Sequence, residues 1–128
     1  DGTIVLSFQK GTATGLQAKK PNYSKTASAT VPDYTANSNA TPLDGIANVA
    51  IPTSESLQGF EIADISGKWG SAAAAIKGDQ IVLSAADGSS NLNAVTQVRY
   101  WWSGNPAISS LLYNDLGLPA SPFITIVE

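Results

Sequence analysis

The chain contains no histidine, no cysteine and no methionine in 128 residues. Without imidazole or thiol there is no base for a Ser-His-Asp relay, no thiolate nucleophile, no disulfide, and no soft ligand for a transition metal. Charge is equally scarce: 13% of residues are charged, and seven basic against ten acidic side chains leave a net −3. The basic residues are scattered, so the phosphate neutralisation that drives nucleic-acid binding is missing and no nucleic-acid partner is expected. No apolar run approaches the roughly 18 residues that cross a bilayer, and Asp1-Gly2-Thr3 lacks the basic and apolar parts of a signal peptide. A soluble, excised or mature module without a membrane partner is the expectation.

What is present is an apolar share of 43%, carried largely by Ala, Val, Ile and Leu, set among Ser, Thr, Asn and Gly. That is the make-up of a secreted β-rich domain, here expected to be bacterial and extracellular. In residues 3–9, Ile4, Leu6 and Phe8 alternate with Val5 and Ser7, the period-two pattern of a half-buried strand. Short runs of the same kind recur at 49–51, 60–65, 81–84, 95–102 and 123–127, separated by Gly, Pro, Asn and Asp. Ala72 to Ile76 leads into the Lys77-Gly78-Asp79 turn and reads as the first arm of a hairpin. Residues 20–48, rich in Ser, Thr, Asn and Pro, read as surface loops or an added edge strand. The sum is an all-β, two-sheet antiparallel sandwich, jelly-roll-like, with residues 1–128 forming a single monomeric domain.

The densest apolar surface is Tyr100-Trp101-Trp102, three of only ten aromatics. An indole plane suits the C–H faces of a pyranose ring, which it meets by dispersion and apolar burial without needing a charge. Hydroxyls around that ring then require amide, carboxylate or guanidinium partners, and Gln97, Arg99, Asn93 and Asn105 lie in or near this strand. Alternation sends Gln97, Arg99 and Trp101 to one face and Val98, Tyr100 and Trp102 to the other. Because Val98 marks the inside, Trp101 is expected outward and Trp102 inward, as a core anchor or a ligand contact. A bulge before Ser103-Gly104 would turn both outward.

Trp69 lies at a strand end, where an exposed ring either binds or caps the sandwich. Tyr23 and Tyr34 are further candidates in polar loop sequence, while Tyr113, Phe8, Phe60 and Phe123 are assigned to the core. Asp33, Asp44, Glu55, Glu61 and Asp64 show no spacing that singles out a glycosidase pair, and solvated carboxylates are the simpler reading. No cofactor is implied. The one metal site the sequence offers is a structural calcium held by loop oxygens of Asp33, Asn37 and Asp44, and no EF-hand pattern accompanies it.

Several runs of the second half resemble the C-terminal β-sandwich of the sialate O-acetylesterase family. They include Gly59-Phe60-Glu61-Ile62-Ala63, Gly67-Lys68-Trp69, Val98-Arg99-Tyr100, Leu112-Tyr113-Asn114 and the closing Leu118-Pro119-Ala120-Ser121-Pro122-Phe123. The likeness covers about residues 57–124. It implies a non-catalytic sandwich, because the family's Ser-Asp-His work belongs to a separate domain and nothing here corresponds to it. Two departures stand out: the family usually carries glycine where this chain has Trp101, and residues 20–55 look like an insertion. A detached sandwich with an added tryptophan is similar to carbohydrate-binding modules of plant-cell-wall hydrolases. The function expected is binding of β-glucan (cellulose, cello-oligosaccharides or mixed-linkage glucan) on behalf of a linked glycoside hydrolase, an endoglucanase. The alternative is an accessory C-terminal domain of a sialate or xylan O-acetylesterase.

Overall fold

The computed structural model describes residues 2–22, 49–86, 92–102 and 110–128. Among the described residues nine strands form: β1 (Ile4–Ser7), β2 (Gln17–Asn22), β3 (Val49–Pro52), β4 (Phe60–Asp64), β5 (Trp69–Lys77), β6 (Gln80–Ala85), β7 (Val95–Tyr100), β8 (Leu111–Tyr113) and β9 (Phe123–Ile126). A 3-10 turn, Leu92–Ala94, precedes β7. One sheet has six strands in the order β1-β6-β5-β4-β7-β9, and a second has three in the order β3-β2-β8. The chain divides into two compact units, residues 1–20 with 52–128, and residues 21–51. The all-β sandwich expected from the sequence is the observed fold, and the registered ladders are antiparallel.

Alternation explains most of the large sheet. Phe60 and Ile62 of β4, Ile81 and Leu83 of β6, and Val98 and Tyr100 of β7 are buried and form one core with Ile4, Leu57 and Leu112. Burying each such side chain contributes about 1.5–3 kcal/mol. The β5–β6 hairpin closes at Lys77↔Gln80 through Gly78-Asp79, where Gly78 takes the positive φ of 65° that a two-residue turn demands. β2 and β8 were not anticipated. Lys19-Lys20-Pro21 in β2 reads as loop sequence, yet β2 is the central strand of the small sheet, and Ala18 packs against the core beside Leu112. Tyr113 is half-buried, with the Lys19 ammonium 5.5 Å from its ring centre, rather than a core residue.

Tyr100 ties the two sheets together. Its ring lies 4.6 Å from that of Phe60 and 5.7 Å from that of Phe123, and its hydroxyl accepts a 3.0 Å hydrogen bond from the buried Leu112 amide of β8. Burial holds the phenol above its ordinary pKa, partly offset by the Leu112 amide. Because the folded value is raised, the stability from neutral Tyr100 is complete below pH about 10 and is lost as pH rises through the folded pKa. Tyr100→Phe strands the Leu112 N–H, so a loss of about 1–3 kcal/mol at neutral pH is expected in urea denaturation. The alkaline decline should be shallower in this variant than in the parent chain.

Candidate functional site

The outer face of the large sheet is built around β4. Glu61 is registered between Ser71 of β5 and Arg99 of β7, and Ala63 between Trp69 and Gln97. Glu61 and Arg99 form a two-pronged ion pair: Arg99 Nε donates to Glu61 Oε2 at 2.7 Å and Nη2 donates to Oε1 at 3.1 Å. The bonding to Glu61 raises the guanidinium pKa still further, so Arg99 is a permanent cation whose charge is already matched. Its carbon Cζ lies 4.2 Å from the centre of the Trp69 ring, a cation–π stack that covers one indole face. Ala63 is 1% exposed although it points to this outer side.

At the other end of the face, the β4–β5 ladder opens between Glu61↔Ser71 and an isolated Leu57↔Ala74 bridge. Gln58, Gly59 and Phe60 there oppose only Ala72 and Ala73, and the mismatch leaves an open groove of about 470 Å³. Its walls include Gln58, Glu61, Ser71, Trp101 and Trp102.

The structure reverses the expected placing of the two tryptophans. Regular alternation stops at Tyr100, because Trp101 adopts φ 42°, in the left-handed region, while its amide donates to the Gly59 carbonyl at 2.8 Å. That turn folds the Trp101 ring onto Gly59, whose own φ is 88°. A β-carbon at residue 59 would lie 2.3 Å from Trp101 Cε2. Trp101 is therefore half-buried against the core, and Trp102 is thrown outward, 53% exposed. The Trp101 Nε1–H is buried without a hydrogen-bond partner.

The other candidates separate in space. Trp69 and Gln97 are half-buried at the Ala63 end of the face, where Trp69 also lines a depression of about 530 Å³ with Asp64, Lys68 and Ser71. Asn93 lies in the 3-10 turn beside the first residues of the chain and takes no part in this face. Tyr23, Tyr34 and Asn105 lie outside the described residues, as do Asp33, Asn37 and Asp44 of the calcium expectation. Among the described residues no cluster of three metal-ligating side chains occurs. Asp64 is engaged locally: its Oδ1 accepts hydrogen bonds from the Ser66 hydroxyl and amide, which hold the carboxyl below its ordinary pKa. Gln58, Glu61 and Ser71 were not anticipated as site residues. A glutamate amid the apolar run Phe60-Glu61-Ile62-Ala63 is a usable signal for Glu61, but its partner emerges only from strand pairing.

A smaller apolar cavity of about 280 Å³ lies apart from these groups, between Phe8, Leu16, Leu112 and the Leu118-Pro119-Ala120 segment. Asn114 at its edge donates to the Thr12 carbonyl and accepts from the Leu118 amide, so this is a packing seam whose polar groups are satisfied.

The sequence matches no family model and no curated protein sequence. Among solved structures it is similar to a carbohydrate acetylesterase from Xanthomonas citri, at 37% identity over 56% of this chain and with a TM-score of 0.46. The match covers 15% of the length of that enzyme.

Proposed function

We propose that the chain is a non-catalytic carbohydrate-binding module that recognises β-linked glucan by aromatic stacking and tethers a covalently linked glycoside hydrolase to plant cell-wall polysaccharide. The observation that carries the proposal is Trp102, an exposed indole at the rim of a groove that also offers the amide, carboxylate and hydroxyl of Gln58, Glu61 and Ser71. A ring in that position collects apolar contact with a sugar face while polar neighbours meet its hydroxyls. Tethering of this kind works by raising effective concentration and needs no cofactor. We place the module outside the bacterial cell, acting as a monomer without hydrolase or esterase activity of its own.

A second reading, an accessory domain of a sialate or xylan O-acetylesterase, is favoured by one feature. Ile124 and Ile126 of edge strand β9 are 48% and 69% exposed, the kind of apolar edge a catalytic domain would cover.

Affinity electrophoresis of the chain in gels containing cellulose derivatives, mixed-linkage glucan or xylan discriminates between them. Retardation by the β-glucans supports the proposal, and unretarded migration in every gel favours the accessory domain. Free sialic acid is not expected to bind in isothermal titration. Its carboxylate needs a convergent cationic site, and the single arginine is already held by Glu61. Saturable binding of sialic acid with none of cello-oligosaccharide would reject the glucan proposal.

A further inference from the structure

We infer that the binding track continues from the Trp102 groove across the outer face of β4 to Trp69, so that the ligand is an extended, uncharged oligosaccharide occupying two aromatic subsites with the Glu61–Arg99 pair between them. The inference rests on the carbohydrate reading above. Three observations join the two ends. Ser71, which lines the Trp102 groove, and Trp69 are two residues apart on β5 and so stand on the same face of the sheet. The pair Phe60↔Tyr100, next to Trp101, and the pair Ala63↔Trp69 are three residues apart on one strand, a span of about 10 Å that exceeds a single sugar ring. Between them stand small side chains: Ser71 beside Glu61, and Ala73 two residues further along β5.

The chemistry of the middle section selects against charge. Each Glu61 oxygen accepts one bond from Arg99 and keeps a lone pair for a hydroxyl donor, while the guanidinium keeps N–H groups that can reach a hydroxyl oxygen. Together they offer donors and acceptors with no net charge, which suits a neutral polyol and leaves a uronate or sialate carboxylate uncompensated. Arg99 has a second effect through Trp69. Stacked at 4.2 Å and anchored by Glu61, it restrains the indole before any ligand arrives, so less side-chain freedom is lost on binding.

The test is isothermal titration of the whole chain with cellobiose, cellotriose, cellotetraose and cellohexaose, for the parent, Trp102→Ala and Trp69→Ala. Affinity of the parent should rise with length. Trp102→Ala should weaken every oligomer, whereas Trp69→Ala should leave cellobiose within about twofold and weaken cellohexaose by about tenfold, flattening the length dependence. Trp69→Tyr keeps a ring for Arg99 to stack on and should retain most of the gain with length, which separates a lost subsite from a disturbed sheet. If the parent binds but Trp69→Ala weakens all lengths alike, or none, the extended track is wrong and the Trp102 site stands. If the parent binds no oligomer, the carbohydrate reading fails and the track with it.

Discussion

Gly59→Ala is expected to destabilise the chain by about 2–6 kcal/mol, more than any other single-methyl addition on this face. Two costs combine. A β-carbon on a residue at φ 88° is strained whatever surrounds it, at about 1–3 kcal/mol. Here it also meets the Trp101 ring at 2.3–2.5 Å, and relieving that overlap by displacing a packed indole costs about 1–3 kcal/mol more. The second cost can be isolated. In Gly59→Ala combined with Trp101→Gly the obstructing ring is gone, and residue 101 gains the freedom its φ of 42° favours. Urea denaturation of the two single variants and the double variant should therefore give a coupling of about 1–3 kcal/mol, the double being more stable than the sum. Strict additivity would show that the Trp101 ring does not rest on Gly59.

Trp102→Ala is expected to weaken β-glucan binding by about 10–100-fold while shifting stability by no more than about 0.5 kcal/mol, since an exposed ring leaves no cavity behind. Trp101→Ala should do the opposite in the folding assay. Its half-buried ring packs against the core, and alanine leaves the left-handed backbone unrelieved, so a loss of about 2 kcal/mol is expected. Simple alternation from Val98 assigns these phenotypes the other way round, and the two variants measured side by side decide which backbone is present.

How far the sequence reaches can be read at particular residues. Strands whose inward side chains recur at every second position, such as Ile4 with Leu6 and Phe60 with Ile62, are legible because burial on one face dictates their period. β2 is not, because Lys19, Lys20 and Pro21 follow no such period and its place comes from pairing with β8. The aromatic cluster at 100–102 is legible as a concentration of rings, but its orientation is not. It depends on one positive φ at Trp101, which only the lack of a side chain at Gly59, 42 residues earlier in the chain, makes room for. The Glu61–Arg99–Trp69 stack is hidden for the same reason: three residues from three strands meet only once the order β5-β4-β7 is known.

The proposed role of Trp102 is that of a sugar-stacking ring on a non-catalytic sandwich. It is tested most directly by titrating cellohexaose into the parent chain and into Trp102→Ala, with thermal melts of both in the same buffer. Saturable binding by the parent, cut at least about tenfold in the variant with the melt unchanged, is the result predicted. Equal affinity in the two proteins, with both folded, would contradict it.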